Sequence, residues 1–111
     1  MATYSNIYID QGSTYSSVVE LNDSNGLPYD LTDYSSRAQI RKTYSSTTAV
    51  SFTTSITDPL EGKVNLSLTA EQTRAMKEGR YVYDVEVYND SGQVIRICEG
   101  QVEVTPAVSQ P

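Results

Sequence analysis

Between Arg80 and Tyr88 the chain reads RYVYDVEVY, and residues with apolar bodies fall at every second position: Tyr81, Tyr83, Val85 and Val87. Val82, Asp84 and Glu86 occupy the positions between them. A helix would scatter such a row around its circumference, whereas a strand gathers it onto one face. Lys63 to Leu68 shows the same pattern more cleanly, with Val64, Leu66 and Leu68 alternating with Asn65 and Ser67. Strict alternation means one dry face and one wet face. Several such rows in one chain must bury their dry faces against each other, which points to a sandwich or barrel.

Other stretches follow the same rule. Thr3 to Ile9 places Ile7 and Ile9 together, and Thr14 to Leu21 places Tyr15, Ser17, Val19 and Leu21 together. Tyr34 to Lys42 carries Ala38 and Ile40, and Ala49 to Ile56 carries Val50, Phe52, Thr54 and Ile56. Gly12, DSNGLP (Asp23 to Pro28), DPLEG (Asp58 to Gly62) and NDSG (Asn89 to Gly92) supply the turns between them. In the last strand, from Gln93, Ile95 and Ile97 share a parity that Val102 and Val104 do not. That switch requires a bulge, and Gly100 is the expected place.

The period breaks once, at TAEQTRAMKEG. Thr69 as N-cap and Gln72 three residues later form a capping box. Glu71 in the first turn and Lys77 near the end suit the helix dipole, and Gly79 suits a left-handed stop. One short helix over about 70–78 is therefore expected.

Seven or so short strands with a helical turn before the sixth match an immunoglobulin-like antiparallel β-sandwich. The expected domain covers residues 1–105, followed by an extended tail over 106–111. Tyr81, two residues after Gly79, falls where such folds place a corner tyrosine whose hydroxyl bonds back to the chain. Tyr83 takes the place of an antibody-type cysteine, filling the core with its ring.

A chain of 111 residues is one domain's worth. Its net charge of −6 argues against nucleic acid or an anionic membrane as partner. No signal peptide or membrane-spanning run is expected. The chain contains no histidine, so the commonest general base and transition-metal ligand is missing, and no Ser-His-Asp or Cys-His arrangement is available. Cys98 is the only cysteine and is expected to be a small buried apolar residue. No enzyme, no cofactor and no metal is expected. Asp84 and Glu86 share an outward face, where a carboxylate pair for glycoside chemistry competes with a cross-strand charge ladder to Arg37, Arg41 and Arg96; the ladder is favoured. Asn22 to Gly26 and Asp30 to Asp33 are rich in oxygen, but turn chemistry accounts for them and calcium-loop spacing is absent.

Nine tyrosines and no tryptophan remain to be explained. Those at Tyr4, Tyr8, Tyr29, Tyr34, Tyr44 and Tyr88 are open to three readings: a protein interface, ordinary surface or core, and sugar stacking. Tyr4, Tyr8, Tyr88, Arg37 and Arg41 are the expected contact residues.

The segments DQGSTY, NGLPYDLTDY, AQIRK, EGRYVYDVEV and EGQVEVTP, in this order and spacing over nearly the whole chain, resemble small immunoglobulin-like structural proteins of tailed bacteriophages. They are similar to the N-terminal domain of phage baseplate upper proteins. The resemblance implies a virion component without catalytic activity, assembled in the host cytoplasm through contacts with other virion proteins and with copies of itself. It leaves tail, baseplate, neck and capsid surface open. A glycan-binding module for host attachment is the alternative.

Overall fold

The computed structural model describes residues 3–109; Met1, Ala2, Gln110 and Pro111, at the ends of the expected domain and tail, lie outside the described residues. The strands are β1 (Thr3–Tyr4), β2 (Ile7–Asp10), β3 (Tyr15–Glu20), β4 (Ser35–Arg41), β5 (Val50–Ser51), β6 (Thr53–Ser55), β7 (Lys63–Leu68), β8 (Gly79–Tyr88) and β9 (Val94–Thr105). A 3-10 turn covers Pro59–Glu61, and one helix, α1, covers Ala70–Arg74. Two sheets result. The larger runs β1-β9-β8-β4-β5, with β2 also on β9; the smaller runs β3-β7-β6. This is a two-layer β-sandwich, one of the two architectures to which the alternating rows point.

The rows meet between the sheets. Val64, Leu66 and Leu68 of the smaller sheet face Ala38, Ile40, Tyr83, Val85, Val87, Val102 and Val104 of the larger, and all are buried. Each dry face covers the other, which is the physical reason for two layers.

Four expectations need correction. First, β1 and β2 pair with β9 in parallel, so the sandwich is not wholly antiparallel. The first strand breaks at Ser5–Asn6, where Ser5 N–H donates to the Glu99 carbonyl and the Asn6 side chain accepts from Gln101 N–H. Second, the stretch expected as one strand over 49–56 splits. Val50–Ser51 joins the larger sheet and Thr53–Ser55 the smaller, with buried Phe52 as the crossing point.

Third, the irregularity in β9 lies not at Gly100 but at Ile97. Val85 pairs with Cys98 and Glu86 with Arg96, so Ile97 is the extra residue, and Ile97 and Cys98 are both buried. Gly100 answers a different constraint: a Cβ there would collide with the backbone carbonyl of Ser5. Fourth, α1 ends at Arg74 with Ala75 as its C-cap, well short of 78. The capping box forms as expected: Thr69 accepts from Gln72 N–H at 3.1 Å, and Gln72 accepts from Thr69 N–H at 2.8 Å. The helix stops because it must dock. Thr73, fully buried, donates to the Ser13 carbonyl and accepts from Gly12 N–H, and Met76 enters the core. Gly79, at φ +133°, opens β8 rather than capping the helix.

Candidate interaction face

Tyr83 and Tyr81 anchor the fold beneath the candidate face. The Tyr83 ring is buried between the sheets, 6.3 Å edge-on from Phe52. Its hydroxyl donates to the Ser5 carbonyl at 2.6 Å and lies 3.2 Å from the Cys98 sulfur. Burial, then the contact with Cys98, pushes the Tyr83 phenol well above the usual tyrosine range. The Tyr81 hydroxyl reaches back to the Lys77 carbonyl at 2.7 Å, and the Lys42 ammonium sits 4.8 Å over its ring. Gly79 lies close under that ammonium; a Cβ would come within 3.0 Å of it.

Period two sends the alternate residues of the larger sheet outward. In β4 these are Arg37, Gln39 and Arg41, and in β8 Val82, Asp84, Glu86 and Tyr88. Cross-strand register sets Arg37 beside Glu86, and the guanidinium donates to the carboxylate at 2.8 Å. The same guanidinium stacks 4.6 Å over the Tyr88 ring. Arg96 of β9 lies 3.4 Å from Asp84 and 4.0 Å from Glu99. Partial burial, then the neighbouring Glu86, raises the Asp84 carboxyl above its ordinary value, and Arg96 opposes that rise. Each of the two carboxylates thus has its own arginine on an open sheet, in the manner of a cross-strand ladder. Arg41 is held differently: it donates to the Ser46 carbonyl at 2.6 Å and to the Gln39 side chain at 3.0 Å.

These residues border a shallow depression of about 300 Å³, lined by Arg41, Tyr44, Val82, Asp84, Glu86 and Arg96 among others. Tyr44, 80% exposed, is its single exposed tyrosine ring. At the far edge of the same sheet Tyr4 and Tyr8 are 64% and 67% exposed. Ile7 and Ile9 point inward, so Tyr8 between them points out. Tyr4, beside Glu99, shares that outer face.

The five expected contact residues therefore lie on one sheet face but not in one cluster. Tyr88 and Arg37 are stacked at one end, Arg41 lies two turns of the pleat away beside Tyr44, and Tyr4 and Tyr8 occupy the edge. Tyr44, one of the six tyrosines open to three readings, is not among the expected contact residues, because it sits in a Ser/Thr-rich loop without alternation and nothing local distinguishes it from a solvated residue. Cys98 is buried as expected. The acidic loops hold their own turns, with Asp23 accepting from Asn25 and Leu27 N–H and Asp30 from Thr32 N–H. Among the described residues no three His, Cys, Asp or Glu side chains converge so as to hold a metal ion. No protein-family model matches the chain, and no curated protein matches it.

Proposed function

We propose that this chain is a non-catalytic structural part of a bacteriophage particle, working through protein–protein contacts made by the outer face of its larger sheet. The observation that carries the reading is the composition of that face: three exposed tyrosines, Tyr4, Tyr8 and Tyr44, around an arginine–carboxylate ladder. Tyrosine and arginine are the side chains enriched where protein surfaces bind each other, because they combine large contact area with fixed polar ends. The resemblance of the sequence to tailed-phage structural proteins supplies the kind of assembly.

The test is incorporation. Particles produced with Tyr8→Ala plus Arg41→Ala are compared with wild type for the amount of this chain they carry, after circular dichroism shows the variant folded. The expected result is a loss of at least about fivefold, equivalent to ~1 kcal/mol of contact energy. Equal incorporation overturns the assignment of the face. Glycan binding is the rival: retention of the purified chain on a glycan array, abolished by Tyr44→Ala, would replace this reading.

A further inference from the structure

The free edges of the two sheets are not alike. On the larger sheet one edge is β5, two residues long, and the other is β1–β2, broken at Ser5–Asn6. On the smaller sheet β6 is three residues long. Short and interrupted edges are the usual protection against strand-to-strand association. The remaining edge, β3, has none of these devices. It is six residues long, YSSVVE, without proline, lysine or bulge, and among the described residues β7 is the one strand that pairs with it.

The edge is exposed because the first strand is elsewhere. In the four-stranded ABED arrangement the first strand covers the second. Here both halves of it lie on β9 in the other sheet. A groove of about 370 Å³ runs between β3 and the β1–β2 segment, with Ser5 and Tyr8 on one side, Ser17 and Val19 on the other, and Tyr83 and Cys98 among its lining.

The hydrogen-bond phase can be read off. Leu21 N–H donates to the Gly62 carbonyl, so odd-numbered residues of β3 face β7. Ser16, Val18 and Glu20 therefore turn both backbone groups to the open side. Their side chains are exposed, Val18 at 52%.

We infer that β3 is a self-association edge that pairs antiparallel with β3 of a second copy about a two-fold axis at Val18. In that register Val18 lies opposite Val18 of the other copy, and Ser16 lies opposite Glu20, each pair exchanging both backbone hydrogen bonds. Every outward-facing residue of the strand is used. The serine hydroxyl meets the carboxylate as donor to acceptor. The two Glu20 side chains sit four residues apart along the pair, about 13 Å, beyond the ~8 Å screening length of physiological salt. Lys63, 4.0 Å from Glu20, offsets that charge further. Shifting the axis to Glu20 would place like charges opposite one another. The product is one continuous sheet through two sandwiches, a closed isologous contact. The inference gives a surface to the self-contacts of the proposed assembly role, and rests on that reading only for its biological use.

Sedimentation equilibrium of the full chain tests it. Wild type is expected to form a two-copy species that dissociates on dilution. Val18→Pro removes an N–H that the fold does not use, and Val18→Lys sets like charges across the axis. Each is expected to raise the dissociation constant at least about tenfold with an unchanged far-ultraviolet spectrum. Should the proline variant alter the spectrum, the lysine variant decides. Arg37→Ala plus Arg41→Ala, both on the outer face of the larger sheet and away from the groove, should leave the dimer intact, which separates this edge from that face. A wild type monomeric at all concentrations, or a dimer indifferent to both Val18 variants, overturns the inference. So does a monomer whose Val18 variants fail only to enter particles, since that gives the edge to another partner.

Discussion

Tyr83 shows how one side chain does several tasks at once. Its ring fills the centre of the sandwich, and its hydroxyl satisfies the Ser5 carbonyl where the first strand breaks. Tyr83→Phe keeps the ring and removes the donor. It is expected to lower unfolding free energy at neutral pH by about 1–3 kcal/mol, measured by urea denaturation. The sign of its pH effect follows from its raised folded-state pKa. The favourable contribution is fully present below the ordinary phenol value near ~10 and is lost as pH climbs above it, because the unfolded chain ionises first. Wild-type stability should therefore decline above that pH, and Tyr83→Phe should decline less steeply. The alternation around Val85 and Val87 announced an inward ring here. What it could not announce was the hydroxyl's partner, since Ser5 is distant in sequence and meets Tyr83 only after β1 and β9 pair.

At the scale of elements, β9 explains why parity alone misplaces an irregularity. Ile97 and Val102 lie on opposite parities, so a face switch somewhere between them was legible. Glycine is the cheapest residue to bend, and Gly100 stood in that interval. The chain instead inserts the extra residue at Ile97, where it and Cys98 can both be buried. Gly100, lacking a Cβ, leaves room for the backbone of the first strand at Ser5. Gly100→Ala would drive a methyl into the Ser5 backbone, and backbone cannot rotate aside as a side chain does. An expected cost of at least about 2 kcal/mol, read from the urea midpoint, follows from overpacking. The helix carries a similar lesson. Thr69 and Gln72 marked its start through contacts within one turn, whereas its end at Arg74 is set by Thr73 bonding to Gly12 and Ser13.

For the molecule as a whole, the first strand and the last close the sandwich together. Ile7 and Ile9 are buried beside Val102 and Val104 through the parallel pairing of β2 with β9. Deleting residues 1–10 removes that cover, and the remainder is expected to be unfolded by circular dichroism. Deleting residues 106–111 should shift the melting temperature by no more than about 3 °C, the range of surface changes. Within that tail Ala107 N–H donates to the Gln11 side-chain oxygen at 3.2 Å, and Val108 is exposed.

Layers, inward rows, turns and the helix start could all be read along the chain because each is a relation between residues a few positions apart. Alternation and capping chemistry act locally and leave their pattern in the order of residues. Which strand lies beside which is another matter. The move of the first strand onto β9, which leaves the edge of β3 open, the crossing at Phe52 and the gathering of Tyr44 with Asp84 and Arg96 depend on positions far apart in sequence. They emerge only when two sheets compete to bury the same core, and no period within either strand records the outcome of that competition.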